Sequence, residues 1–200
     1  GRGLIDYYGC AVCHDLPGGR PVARQGPSLD TVGSKTNSAW LRRWLADPAV
    51  AVPGSRMPRF VLSDPEVETL VDFLTAQRAA DLGSAPVGDP GSGERLFLDH
   101  ECGDCHTRAG QGSDDPLSLS GLGHRVNRPW LVAYLQDPER LTPGTGMPAV
   151  GLSAHQAADL AAYLLGPVVV DTEQQRPDAD AVEVGLSLFV ARGCSGCHRI

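Results

Sequence analysis

The six cysteines of this chain form three pairs, Cys10/Cys13, Cys102/Cys105 and Cys194/Cys197, and a histidine follows each pair at once: His14, His106 and His198. Cys10 and Cys102 lie 92 residues apart, as do Cys102 and Cys194. A Cys-x-x-Cys pair is compatible with a redox disulfide, with half a zinc site, or with haem attachment. The redox reading expects a βαβ setting, and no such pattern surrounds any of the pairs. A zinc site gathers four ligands, whereas these pairs are widely spaced and each brings its own adjacent histidine. For haem c the arrangement has a chemical reason. Two thiols add to the two vinyl groups on one porphyrin edge, and the next residue sets its imidazole on the iron. The expectation is three covalently attached haems, held by the six cysteines and ligated by His14, His106 and His198.

A longer internal repeat surrounds the pentapeptides. Gly1, Leu4 and Ile5 align with Gly93, Leu96 and Phe97, and these with Gly185, Leu188 and Phe189. Each set reads as a short helix with one apolar face, running into the haem site at its C-terminal end. Farther on, the first two units match at an offset of 90. Trp40-Leu41 and Trp44-Leu45 correspond to Trp130-Leu131 and Tyr134-Leu135, Asp47-Pro48 to Asp137-Pro138, and Met57-Pro58 to Met147-Pro148. Ser63/Glu66 and Ser153/Gln156 predict capping boxes ahead of two apolar helices, which carry Leu70, Phe73 and Leu74 or Leu160, Tyr163 and Leu164. Aromatic content is only 6%, against 24 glycines and 16 prolines. Units of this size with so few large apolar side chains are marginal alone, so a bound prosthetic group would have to supplement the core.

The first two units, roughly residues 1–80 and 93–166, resemble class I cytochrome c domains. The resemblance implies an all-α fold, with tandem small helical bundles each around a covalent haem. It implies His14 and His106 as proximal ligands and Met57 and Met147 as distal ligands. The chain has two methionines in all, both at this position. It also implies that Pro27, in Gly26-Pro27-Ser28-Leu29, offers its carbonyl to the proximal histidine. The second unit has Pro116-Leu117-Ser118-Leu119 instead, with Leu117 as the substitute acceptor. Trp40 and Trp130 are candidates for a propionate bond or for simple core packing. His100, His124 and His155 have no counterparts in the first unit; His155, at the start of a helix, reads as solvated, His100 as lying near the haem edge, and the three are spare axial candidates where a site lacks its methionine.

The expected organisation is a first domain over 1–80, a linker over 81–92, a second domain over 93–166, a linker over 167–181, and the start of a third, incomplete domain over 182–200. The third unit has no methionine loop of its own, so its sixth ligand is open. A longer chain, a neighbouring subunit, or a deliberately vacant position would each account for that, and a longer chain is the simplest. Net charge is −7 before any propionates, which disfavours nucleic acid and favours redox partners with a basic docking surface, or neighbouring subunits of a complex. No stretch approaches the roughly 20 apolar residues of a membrane span, and no signal peptide is present. Haem c chemistry implies a periplasmic or extracellular site. The expected function is electron transfer; the alternative is a peroxidase-like enzyme or gas sensor using an open haem at the third unit.

Overall fold

The computed structural model describes residues 26–79, 81–83, 85–108, 118–167 and 177–200. Among these the α-helices are α1 (Val32–Lys35), α2 (Ser38–Ala46), α3 (Pro48–Ala51), α4 (Asp64–Ala76), α5 (Pro90–Asp99), α6 (Arg128–Gln136), α7 (Pro138–Leu141), α8 (Ala154–Leu165) and α9 (Ala179–Ala191). There is no strand among the described residues, only an isolated bridge between Thr107 and Ser118. The expected all-α fold is what forms.

The helices group into two units. One holds residues 85–108 and 118–167, together with 34–40, 79 and 81–83. In it α5 crosses α8, and α6 packs beside them. Helix α5 starts where Asp89 caps the Ser92 N–H and Pro90 supplies a first-turn residue that needs no donor. The crossing is close because Gly93 has no Cβ; one added there would collide with the Asp159 carbonyl and the Tyr163 Cβ. Phe97 then reaches Tyr163, with ring centroids 5.8 Å apart and planes tilted by 56°. Ser153 and Gln156 close the anticipated capping box on α8. Phe97, Leu122, Trp130, Leu131, Leu135, Leu160 and Leu164 line the core.

The other unit contains, among the described residues, 26–33, 41–78 and 177–200. Here α9 crosses α4. Gly185 abuts Phe73 and the Thr69 carbonyl, and Phe189 meets Phe73 at 5.5 Å with a 53° tilt. Leu41, Leu45, Leu70, Val71, Phe73, Leu74 and Phe189 form its core. Residues 177–200, which the sequence marks as the opening of a third domain, therefore pack with the helices of the first.

Backbone conformation just before each described pentapeptide is left-handed: φ is +77° at Gly193 and +53° at Glu101. A left-handed non-glycine residue costs roughly 1–2 kcal/mol. Glu101→Gly relieves that strain, offset in part by the added freedom of the unfolded chain, and is expected to stabilise its unit by about 0.5–1 kcal/mol in thermal unfolding.

Candidate haem sites

Each described pentapeptide sits on a single 3₁₀ turn at the end of a helix, Cys102–Asp104 after α5 and Cys194–Gly196 after α9. The turn is closed by the His106 N–H to the Cys102 carbonyl and by the His198 N–H to the Cys194 carbonyl, both at 3.0 Å. Neither described pair closes a disulfide. The first cysteine of each pair packs against its unit's core, and burial pushes the Cys102 and Cys194 thiols up. That opposes the thiolate form which a redox nucleophile requires. Cys10, Cys13 and His14 lie outside the described residues.

Met57 and Met147 occupy matching positions. Each is half-buried against a core that also takes up the first cysteine of a pentapeptide: Met57 with Cys194, Met147 with Cys102. The two methionine loops are built alike. Gly54 and Gly144 are left-handed at φ +82° and +79°. The Met57 N–H donates to Ser55 Oγ and the Met147 N–H to Thr145 Oγ1, both at 3.2 Å.

The sulfur environments differ. Trp44 Nε1 donates to Met57 Sδ at 3.0 Å, whereas the equivalent Tyr134 hydroxyl pairs with Thr145 Oγ1 at 3.0 Å. Sequence reasoning missed this role for Trp44; the signal was its place four residues after Trp40, one helical turn on. An N–H donor draws density from a thioether and weakens it most as a ligand to ferric iron. Trp44→Phe is therefore expected to lower the potential of a Met57-ligated haem, by about 20–60 mV if one ordinary hydrogen bond is lost. Potentiometric titration reads this directly.

The histidine partners are also resolved in one unit. His198 Nδ1 lies 2.9 Å from the Pro27 carbonyl, the bond expected for His14. With Nδ1 so engaged as donor, Nε2 is the nitrogen left for iron. The substitute acceptor in the other unit, Leu117, lies outside the described residues. His100, His124 and His155 are exposed. Trp40 belongs to α2. Trp130 is buried and stacks on Tyr134 at 4.7 Å. Its Nε1, together with Arg128 Nη2, is buried without a hydrogen-bond partner among the described residues. Orphaned donors of this kind cost stability unless an acceptor meets them, and a haem propionate is such an acceptor. The donor set, the inward cysteines and these two orphans fit haem c.

A cytochrome c family model matches residues 91–166. Two curated relatives, both described as cytochrome c, come from Guizotia abyssinica and Ginkgo biloba. Each is 34% identical, over 107 and 109 residues; the matches cover 42% of this chain and 96% and 94% of theirs. This chain belongs to the cytochrome c family. No solved structure matches it. Membership makes this cytochrome c a haem protein of electron transfer, with iron in covalently bound haem c, and an electron carrier rather than an enzyme. Among its described residues no helix is long and apolar enough to cross a membrane.

Among the described residues two ion pairs join residues 177–200 to the rest of their unit, and sequence reading anticipated neither. Arg192 pairs with Glu66, and Arg199 stands 3.7 Å from Asp30. The Arg192 guanidinium, with the Ser63 amide and hydroxyl, holds the Glu66 carboxyl down at about 2 from an ordinary 4.5. A carboxylate depressed in the folded state stabilises it fully above the unfolded pKa, and that contribution is lost as pH falls from about 4.5 towards 2. In Arg192→Ala, NMR titration should place Glu66 at a higher pKa than in the parent protein.

Proposed function

We propose that this cytochrome c is a multihaem electron relay with His/Met-ligated irons, carrying three haem c groups and working outside the cytoplasm. The observation that carries the reading is the doubled site. Two cores each bring together a haem-attachment cysteine and a half-buried methionine, on helices and caps that repeat along the chain. Bound haem supplies a one-electron ferric/ferrous couple.

The protein's own residues do the rest. Cys102 and Cys105 fix one porphyrin edge, and His106 supplies the fifth ligand. Met147, a soft thioether that favours ferrous iron, supplies the sixth and raises the potential. Trp130 and Arg128 meet propionate charge within the core. His106 and Met147 would hold the iron between them and packed helices would fix its surroundings, so that little in the protein would need to rearrange on gain or loss of an electron, which is what a relay needs. The acidic surface, net −7 before propionates, suits brief docking on a basic redox partner or a neighbouring subunit.

Two measurements test the proposal. Intact mass should exceed the polypeptide by three haems. On reduction under carbon monoxide, the haem at Cys102 and Cys105 should remain unligated by the gas at neutral pH. Ready binding there in the native protein would refute His106/Met147 ligation.

A further inference from the structure

The pentapeptide at Cys194–His198 packs on the unit whose methionine loop the sequence assigns to another haem. We propose that Met57 is the sixth ligand of the haem carried at Cys194 and Cys197, with His198 as its fifth. Residues 177–200 and 26–78 of one chain then form a single haem unit, although His198 and Met57 stand 141 positions apart. This rests on the His/Met reading above and extends it to a site whose sixth ligand the sequence leaves open.

The argument is one of equivalence, contact by contact. In the other unit the Leu119 N–H donates to the Thr107 carbonyl at 2.8 Å; here the Leu29 N–H donates to the Arg199 carbonyl, also at 2.8 Å. Gly93 against Tyr163 is matched by Gly185 against Phe73. The Phe97–Tyr163 pair is matched by Phe189–Phe73. His198 has the carbonyl of Pro27 on Nδ1, and Gly26 is close enough that a Cβ would fall 2.5 Å from that nitrogen. Met57 and Cys194 flank the same core. Residues 177–200 thus sit on the Met57 loop's unit as residues 90–108 sit on that of Met147.

The side chains of this lobe also suit residues 185–199 better than the equivalent residues 1–15. Arg192, which pairs with Glu66, corresponds to Tyr8. Arg199, near Asp30, corresponds to Asp15, so the N-terminal sequence would set two carboxylates against each other. Phe189, which meets Phe73, corresponds to Ile5. Charge and ring contacts both favour the C-terminal segment. The chain has two methionines, and one thioether serves one iron. Within these 200 residues the haem at Cys10 and Cys13 is then left without a methionine and is expected to be open to a small ligand.

Carbon monoxide binding to the reduced, haem-loaded full chain tests this. The parent should bind one equivalent. Cys10→Ser/Cys13→Ser should bind none, and adding Met57→Ala to it should restore one; in the parent background Met57→Ala should raise binding from one to two. One equivalent bound by the double serine variant with Met57 intact, unchanged by Met57→Ala, overturns the proposal and leaves the His106/Met147 reading standing. Two equivalents bound by that variant show that His/Met ligation itself is wrong. Light scattering should give a monomer whose resistance to the gas is unchanged on dilution. A dimer that becomes sensitive on dilution would place the contact between copies and overturn the one-chain assignment.

Discussion

Met147→Ala is expected to open the haem at Cys102 and Cys105 to carbon monoxide and to drop its potential by roughly 100–300 mV, within the span of about 0.8 V that axial ligands command. The sign follows from ligand hardness. A thioether favours ferrous iron; the water or hydroxide that replaces it favours ferric iron. The effect should be confined to one haem, because Met57 and Met147 pack against separate cores. Loop geometry is held by Gly144 and by the Thr145 bond to the Met147 amide, neither of which the substitution touches. A fall in potential without loss of the fold is therefore the expected combination, read by redox titration beside circular dichroism. An unchanged potential would remove Met147 from the coordination sphere.

Gly93→Val should be the most damaging single change to the fold of its unit. A Cβ at Gly93 runs into the Asp159 carbonyl and the Tyr163 Cβ, and helix backbone cannot step aside as a flexible side-chain tip would. Helices α5 and α8 must separate, loosening the Phe97–Tyr163 contact. Overpacking together with the lost ring pair should cost about 2–4 kcal/mol. For a unit of this size that lowers the midpoint by roughly 10–20 °C, measurable by calorimetry. Gly185→Val should act in the same way on α9 and α4, whereas a valine at Gly146, where an added Cβ meets nothing, should leave the midpoint nearly unmoved.

Much of this was legible in the sequence because it is local. The capping boxes at Ser63 and Ser153 need only four residues each, and both formed around Glu66 and Gln156. Helix faces ending in Cys-x-x-Cys-His were visible from the spacing of Leu96 and Phe97 or Leu188 and Phe189. The twin methionine loops were visible from Asp-Pro and Met-Pro at one offset. What the sequence withheld is non-local. That His198 lies on Pro27 depends on a contact across 171 positions; the repeat makes both pentapeptide segments look equally suitable in sequence, apart from the differences at Tyr8/Arg192 and Asp15/Arg199. Trp44 was hidden for a different reason: an indole on an amphipathic helix reads as core, and its bond to Met57 appears only when the loop folds back.

The central claim is that these pentapeptides hold haem in a methionine-completed electron carrier, and peptide mapping of the native protein by mass spectrometry tests its chemical basis most directly. The account predicts haem mass on the peptides containing Cys102–Cys105 and Cys194–Cys197, and on that containing Cys10–Cys13. Unmodified thiols at Cys102 and Cys105 in protein isolated from its native host would contradict it.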